Sequence, residues 1–199
     1  VLLFAGETRH APAMSAVIRI LGVDPGSAVT GWGVVDCTGT RLSYVASGVI
    51  RTKRGAAPAE KLGAIFEGLK EVIADYAPGE AAVEETFVNA SPRDALVLGQ
   101  ARGVALLAPS LSGLAVAEYA ANSVKKSVVG KGHADKHQVQ AMVKVLLPKC
   151  GELASDEADA LAVAICHAHH RHARSIFQQS GSRFAPENAT KQKRRLEAS

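Results

Sequence analysis

The sequence predicts a single α/β domain in which helices cover a mixed five-stranded sheet. Three observations support this class. Three short runs rich in β-branched residues come first, separated by glycine-containing turns. Two later apolar runs each lie between segments with helical periodicity. The chain has 199 residues and 47% hydrophobic composition, which fits one globular domain.

The first half of the chain is predicted to hold four strands and one helix. The first three strands follow one another directly, as in antiparallel hairpins. From Pro58 to Tyr76, apolar residues recur three and four positions apart, which predicts a helix with one buried stripe that Pro78-Gly79 ends. The four strands are expected at 17–23, 30–38, 41–52 and 81–87.

The second half is predicted to hold three helices and the fifth strand. The first of these helices opens at Ser91, with Asp94 as in a capping box and Pro92 at the first helical position. The fifth strand is expected at 113–119. The basic, glycine-containing stretch 125–133 is predicted to be a loop. The last two helices are expected at about 134–147 and from Ser155, which is a good N-cap residue.

The domain is expected to cover residues 17–174. Residues 1–16 are expected to be an extension that is disordered or derives from upstream translation or vector sequence. Residues 175–199 are expected to form a disordered basic tail, because helical periodicity fades and Gly, Ser, Pro, Asn and Lys take over. The chain's net charge of +4 is concentrated in this tail, which permits nucleic-acid binding without requiring it.

Cysteine use and hydropathy bear on the compartment. The three cysteines lie far apart and form no CxxC pair, which favours a reducing cytosol. No stretch reaches the roughly 18 apolar residues of a membrane span. The opening VLLFAG is too short for a signal-peptide core and has no basic residues before it. A cytoplasmic protein is therefore expected.

Four acidic residues have settings that a surface acid would not need. Asp24 ends an apolar run just before Pro25-Gly26, and Glu84 lies near the end of the fourth strand. Asp156 and Asp159 lie three apart on one face of the last helix, and Asp156 could simply complement the helix dipole. Asp159 lies within an apolar stripe with no Lys or Arg within one turn, where an acid is costly unless paired or metal-bound.

Carboxylates that cluster in this way favour a divalent metal. They would repel one another and raise one another's pKa values, and bound cations reverse that balance. Hard oxygen ligands without sulfur suit Mg²⁺ or Mn²⁺ better than zinc. Two such ions about 4 Å apart can activate a water and stabilise a leaving oxygen in phosphodiester cleavage. The sequence alone leaves open whether the four acids converge, because that requires tertiary structure.

The chain resembles the RuvC-type Holliday junction resolvases in five stretches, in order, between residues 17 and 170: ILGVDPGSAVTGWGVV, AVEETF, LGQARGVAL, EYAANSVKKSVVGKGHADKHQV and DEADALAVAICH. The resemblance implies an RNase H-like fold, a homodimer, and paired nicking of four-way DNA junctions in recombination and repair. It also implies Mg²⁺ as cofactor, with Mn²⁺ as a substitute and two ions per subunit, and a branch-migration complex of the RuvA and RuvB type as partner. The family's catalytic and metal-binding acids fall on Asp24, Glu84, Asp156 and Asp159.

Four lysines are candidate DNA-binding residues. They fall within twelve positions with only one acid among them, and an ordinary solvated surface run is the alternative explanation. In the resemblance, lysines near the scissile phosphate match Lys125 and Lys136. The four candidates are Lys125, Lys126, Lys131 and Lys136.

An aromatic residue and a histidine-rich segment allow two interpretations each. Phe87, three residues past Glu84, is either a core residue or a ring that stacks on an unpaired base, and the resemblance favours stacking. The segment CHAHHRH (166–172) could bind zinc, but without a second Cys/His cluster a partly solvated, basic helix end is preferred. Arg93 and Arg102 could be surface, interface or binding residues.

Three other functions remain open at this point. An ATPase of the actin and heat-shock type shares the topology, but it needs a second glycine-rich phosphate loop and a much longer chain. A non-catalytic junction-binding protein would use the acids only structurally. The sequence only weakly distinguishes a single-strand or RNA nuclease of the same fold from a junction nuclease.

The second helix, with ALVLGQARGVALL, has more apolar positions than one core-facing stripe uses and is the expected dimer surface.

Overall fold

The computed structural model describes residues 16–85 and 91–183, and it confirms the mixed five-stranded sheet with flanking helices. The strands are β1 (Ile18–Asp24), β2 (Val29–Thr38), β3 (Arg41–Arg51), β4 (Glu80–Glu85) and β5 (Ala115–Ala120). Their order across the sheet is β3-β2-β1-β4-β5. The β1–β2 and β2–β3 pairs are antiparallel, whereas β1–β4 and β4–β5 are parallel.

Helices cover both faces of the sheet. They are α1 (Pro58–Tyr76), α2 (Pro92–Leu111), α3 (Ala121–Val129), α4 (Lys136–Leu146) and α5 (Ser155–Arg183). The first two pack on one face, and the last three form a second apolar core on the other face. Within the described ranges, none of these helices combines the length and the apolar character needed to cross a membrane.

The parallel pairs determine where the acidic residues meet. In parallel strands all carboxyl ends lie at one edge of the sheet. Asp24 is the last residue of β1, and Glu84 is the penultimate residue of β4, the strand beside it. The chain therefore brings these two acids to the same edge from positions sixty residues apart.

The stretch that the sequence predicted to be a loop is largely helical, so that prediction was wrong. Lys125 and Lys126 lie in α3, whose apolar residues Val124 and Val128 are four apart and buried against the core. The helix ends at Gly130, which adopts the left-handed conformation (φ 81°) that favours glycine. A single pair of apolar residues four positions apart is too little to show helical periodicity in a nine-residue segment that also contains lysines and serines.

The last helix is longer than the sequence predicted. It continues to Arg183, past the expected domain boundary at 174. Residues 175–183 contain no proline, and the first proline after the helix starts is Pro186, so nothing in that stretch forbids helical backbone. Residues 1–15 of the predicted extension and residues 184–199 of the predicted tail lie outside the described part of the chain.

Three glycines let α5 lie directly on the sheet. Gly22 of β1 and Gly33 of β2 are paired neighbours, and Gly31 pairs with Asp24. A Cβ at Gly22 would lie 2.2 Å from the carbonyl oxygen of Ala160, and one at Gly31 would lie 2.1 Å from that of Asp156. Side chains at these positions would push the helix away, so the glycines set the height of the α5 acids above β1 and β2.

Candidate active site

Three of the four predicted acids line a single cavity at the carboxyl edge of the sheet. Its volume is about 290 Å³, and Asp24, Glu84 and Asp159 face it from β1, β4 and α5. Lys125 of α3 and Lys136 of α4 face the same cavity. The remaining wall is apolar and consists of Ala121, Val124, Val139 and Ala162.

The turn after Asp24 is held by local hydrogen bonds. The buried Thr30 hydroxyl donates to the Gly26 carbonyl oxygen at 2.9 Å, which closes the turn between β1 and β2. A Cβ at Gly26 would lie 2.1 Å from the Val29 carbonyl oxygen, so this tight turn itself requires glycine. Thr30 was not among the predicted site residues, although a threonine four residues after the glycine of a Pro-Gly turn indicates such a hydrogen bond.

Burial and the charges of neighbouring acids both disfavour the ionised form of Asp24. Burial, together with the nearby carboxylates of Glu84, Asp159 and Asp156, raises the pKa of Asp24 to about 8. The carboxyl groups of Asp24 and Glu84 are close enough to share a hydrogen bond. Burial and the Asp159 charge also raise the pKa of Glu84, while Lys125 and Lys136 oppose that change.

Asp159 has a partner that its own helix does not provide. The Lys136 ammonium lies 2.8 Å from the Asp159 carboxylate, and the carboxylate raises the pKa of Lys136. Lys136 is the first residue of α4, which Asp135 and Gln138 cap reciprocally. No cation lies within one turn of Asp159 in the sequence, because this ion pair joins residues that are 23 positions apart.

Asp156 lies beside the cavity but does not line it, although its charge acts on both Asp24 and Lys136. As the side chains stand in the described residues, no three His, Cys, Asp or Glu form a group that could hold a metal ion. The Lys136–Asp159 ion pair occupies one of these carboxylates instead. The donor set nevertheless fits Mg²⁺ or Mn²⁺, because hard oxygen ligands converge where their own repulsion raises the pKa of Asp24.

The predicted DNA-binding residues do not all lie together. Lys125 and Lys136 line the carboxylate cavity. Lys126 lies on the other side of α3 and lines a separate cavity with His169 and His170. Lys131 is exposed in the loop after α3. Phe87 lies outside the described residues.

The histidine-rich segment is partly solvated, as predicted, but it lies within α5, which continues to Arg183, so the prediction of a helix end was wrong. His167 is buried within α5, where its ring contacts the Tyr119 hydroxyl at 3.0 Å and the Glu80 carboxylate at 2.7 Å. Arg171 donates to the same carboxylate at 2.9 Å. No local pattern indicates this network, because Glu80 lies 87 residues before His167.

Comparisons with known proteins agree on one family. The family model for the crossover junction endodeoxyribonuclease RuvC matches residues 20–167. The RuvC crossover junction endodeoxyribonuclease of Methylocella silvestris is 57% identical over 167 residues, which cover 84% of this chain and 95% of the relative. That of Paramagnetospirillum magneticum is 61% identical over 154 residues, which cover 77% of this chain and 93% of the relative.

Solved structures show the same similarity in three dimensions. The structure of Thermus thermophilus RuvC in complex with a Holliday junction substrate matches with a TM-score of 0.72 and 32% identity. The match covers 78% of this chain and 95% of that chain. The family model spans the sheet strands and all the acids of the cavity, and the curated relatives are covered almost completely. The chain belongs to the RuvC family of crossover junction endodeoxyribonucleases.

Proposed function

We propose that this chain is a metal-dependent endonuclease that resolves four-way DNA junctions by paired, symmetric nicks, and that it acts in recombination and repair. The observation that carries the proposal is the cavity in which Asp24, Glu84 and Asp159 meet Lys125 and Lys136 in a member of this family. A half-buried group of acids beside cations matches the charge needs of phosphodiester hydrolysis, in which negative charge develops on phosphate oxygens.

The ions of this centre are Mg²⁺, with Mn²⁺ as a substitute, and two act per subunit. Asp24, Glu84, Asp156 and Asp159 are the residues that would hold them. When bound, such ions activate a water and stabilise the leaving oxygen of the cleaved strand. The acidic cluster favours their binding, because cations relieve the repulsion that raises the pKa of Asp24.

The two lysines of the cavity bind and orient the scissile phosphate. Lys125 and Lys136 face the acids across the cavity, so a phosphate between them would be held at the edge of the sheet. Lys136 releases Asp159 when it turns to the phosphate, which frees a carboxylate for the metal. DNA binding therefore completes the carboxylate site.

Further DNA contacts come from residues outside this cavity. Lys126 and Lys131 contact the phosphates of a junction arm, since both are exposed, one in α3 and the other in the loop after it. Phe87 stacks on a base that is unpaired at the junction.

A branch-migration complex of the RuvA and RuvB type delivers the junction, and junction resolution takes place in the cytoplasm. The nuclease domain is residues 17–174, which an extension at 1–16 precedes and a basic tail at 175–199 follows.

The chain acts as a homodimer through α2. Leu96, Leu107 and Leu111 project from this helix with 64%, 50% and 68% of their surface exposed. Gly99 and Gly103 lie on the same side, and a Cβ there would meet no other atom, so a second helix has room to approach closely. A four-way junction presents two equivalent strands, and a two-fold dimer presents two equivalent cavities.

A substrate panel tests the proposal against its alternatives. A synthetic four-way junction, a linear duplex of the same sequence, single-stranded DNA and RNA are each incubated with Mg²⁺ or with EDTA. The expected result is symmetric nicking of the junction alone, and only with Mg²⁺. Equal cleavage of single strands or RNA would favour a different nuclease of this fold, and metal-dependent binding without any cleavage would favour a non-catalytic junction-binding protein.

A further inference from the structure

A second cavity lies at the same edge of the sheet, on the face opposite the carboxylates. Its volume is about 260 Å³, and it is formed by the β1–β2 turn and the first turns of α1 and α2. Ser27 faces it from the turn, Lys61 from α1, and Arg93 and Gln100 from α2. The turn that follows Asp24 connects the two cavities, because Asp24 lines the carboxylate cavity and Ser27 lines this cationic cavity.

The charged residues that line the cationic cavity are all positive. Lys61 and Arg93 both line it, and no carboxylate is among its lining residues. Within the part of the chain that the structure describes, neither cation forms an ion pair. The acid nearest to Arg93 in sequence, Asp94, is bonded to the Ser91 hydroxyl at 2.7 Å. Two unpaired cations at one cavity favour an anion between them.

Hydrogen bonds and helices hold the backbone segments that form this cavity. The Thr52 hydroxyl donates to the Ser27 carbonyl oxygen at 2.9 Å, and the Thr52 amide donates to that of Ala28 at 3.0 Å, so the end of β3 holds the turn. Lys61 and Arg93 come from the first turns of two long helices, whose amino ends also favour negative charge. Ile65 forms a buried apolar floor.

We propose that this cationic cavity binds a second phosphodiester of the cleaved DNA strand, a few nucleotides from the scissile bond. The inference rests on the proposed function, because a strand that places its scissile phosphate among the acids must continue across the sheet edge. The turn between the cavities carries Asp24 on one side and Ser27 on the other, so one strand can reach both. Lys61 and Arg93 neutralise the phosphate, and Ser27 and Gln100 donate hydrogen bonds to it.

Salt-dependent binding measures these contacts directly. Junction affinity is determined by fluorescence anisotropy in EDTA at several salt concentrations, for wild type, Lys61→Gln, Arg93→Gln and the double variant. Each single substitution is expected to weaken binding roughly threefold to tenfold and to lower the slope of log K against log salt by about one unit. Lys70→Gln is the control on the same helix, because Lys70 pairs with Glu67 and does not line the cavity. It is expected to leave the slope unchanged.

A neutral phosphate analogue locates the contact. Junctions with single methylphosphonates at successive positions beside the cut site are tested with wild type and with the double variant. Wild type is expected to lose affinity at one position, and the double variant to lose nothing further there. Unchanged slopes, or equal losses for both proteins, would overturn the inference. Cleavage by wild type in Mg²⁺ is measured in parallel, so a protein that binds through this cavity yet never cuts would refute only the proposed function.

Discussion

Asp24 is half-buried and has three acidic neighbours, and both conditions disfavour its ionised form. An acid whose pKa is raised in the folded state favours folding when it is protonated. For Asp24 this contribution is present below its ordinary pKa of 3.8 and is lost as the pH rises toward about 8. Ionised Asp24 therefore destabilises the metal-free protein, although we propose that catalysis depends on this residue.

Replacing Asp24 by asparagine should separate stability from activity. Asp24→Asn is expected to reduce junction cleavage by at least about a hundredfold, the scale seen when one charged catalytic group is lost, while junction binding persists. The same change should raise the free energy of unfolding in EDTA at pH 8 by about 1 kcal/mol or more, because one pKa unit corresponds to about 1.4 kcal/mol.

Cleavage gels and urea denaturation measure these two effects. Asp75→Asn, at an exposed position on α1, is the control and should alter neither. An Asp24→Asn protein that cuts at the wild-type rate in Mg²⁺ would remove Asp24 from the catalytic site.

His167 gives the molecule an acid-sensitive contact far from the cavity. Burial lowers the pKa of His167, and the charges of Arg174 and Arg171 add to this, so together they outweigh the opposing pull of Glu80. A histidine with a lowered pKa contributes fully above its unfolded value of 6.5, and that contribution is lost as the pH falls below it.

The pH dependence of unfolding should therefore change in a His167 variant. The wild-type urea midpoint is expected to fall between pH 7 and pH 5.5. In His167→Gln the midpoint should be lower at pH 7, because the contacts with Tyr119 and Glu80 are altered, but it should fall less on acidification. His137→Gln, at an exposed position on α4, should keep the wild-type profile. Parallel pH profiles for wild type and His167→Gln would contradict this assignment.

At the scale of elements, the active-site geometry depends on how closely α5 approaches β1 and β2. Gly31 lies against the Asp156 backbone, one turn before Asp159. A methyl group there must displace the start of α5 or bend β2. Either change would alter the distance between Asp24 and the acids of α5.

Gly31→Ala is expected to destabilise the protein by about 1–3 kcal/mol, the usual cost of overpacking, and to reduce cleavage. Gly63→Ala is the matched control, because a Cβ at that exposed helical position meets no other atom. It should stabilise α1 by about 0.5–1 kcal/mol and leave cleavage unchanged. Chemical denaturation and single-turnover cleavage measure both, and equal effects of the two substitutions would show that α5 is not held by Gly31.

The sequence predicted the five strands and four of the helices because each carries a local signal. The apolar period of α1 and the capping residues Ser91 and Pro92 of α2 are such signals. The helix α3 was missed because it shows only Val124 and Val128 as a buried pair. Contacts between distant residues, such as Lys136 with Asp159, have no local signal at all, so the sequence could name the acids but not their partners.

At the scale of the whole molecule, the proposed dimer explains why α2 exposes leucines. Leu107→Glu should place a charge in the centre of the α2 surface and yield folded monomers that bind junctions weakly and do not make paired cuts. Val145→Glu on α4 is the control, because Val145 is 69% exposed on a helix outside the proposed interface. Sedimentation velocity and cleavage mapping measure the outcome. A dimeric Leu107→Glu protein, or a wild-type monomer that cuts both strands, would contradict the α2 interface.

The central claim is that the carboxylates at the sheet edge form a divalent-metal centre. Anomalous diffraction from crystals grown with Mn²⁺ tests it most directly, because the scattering locates the ion without reference to activity. We predict anomalous density in the cavity between Asp24, Glu84 and Asp159, with the Lys136 ammonium moved away from Asp159. Crystals with no density there and an intact Lys136–Asp159 ion pair, from protein that cleaves junctions in the same Mn²⁺ buffer, would contradict the account.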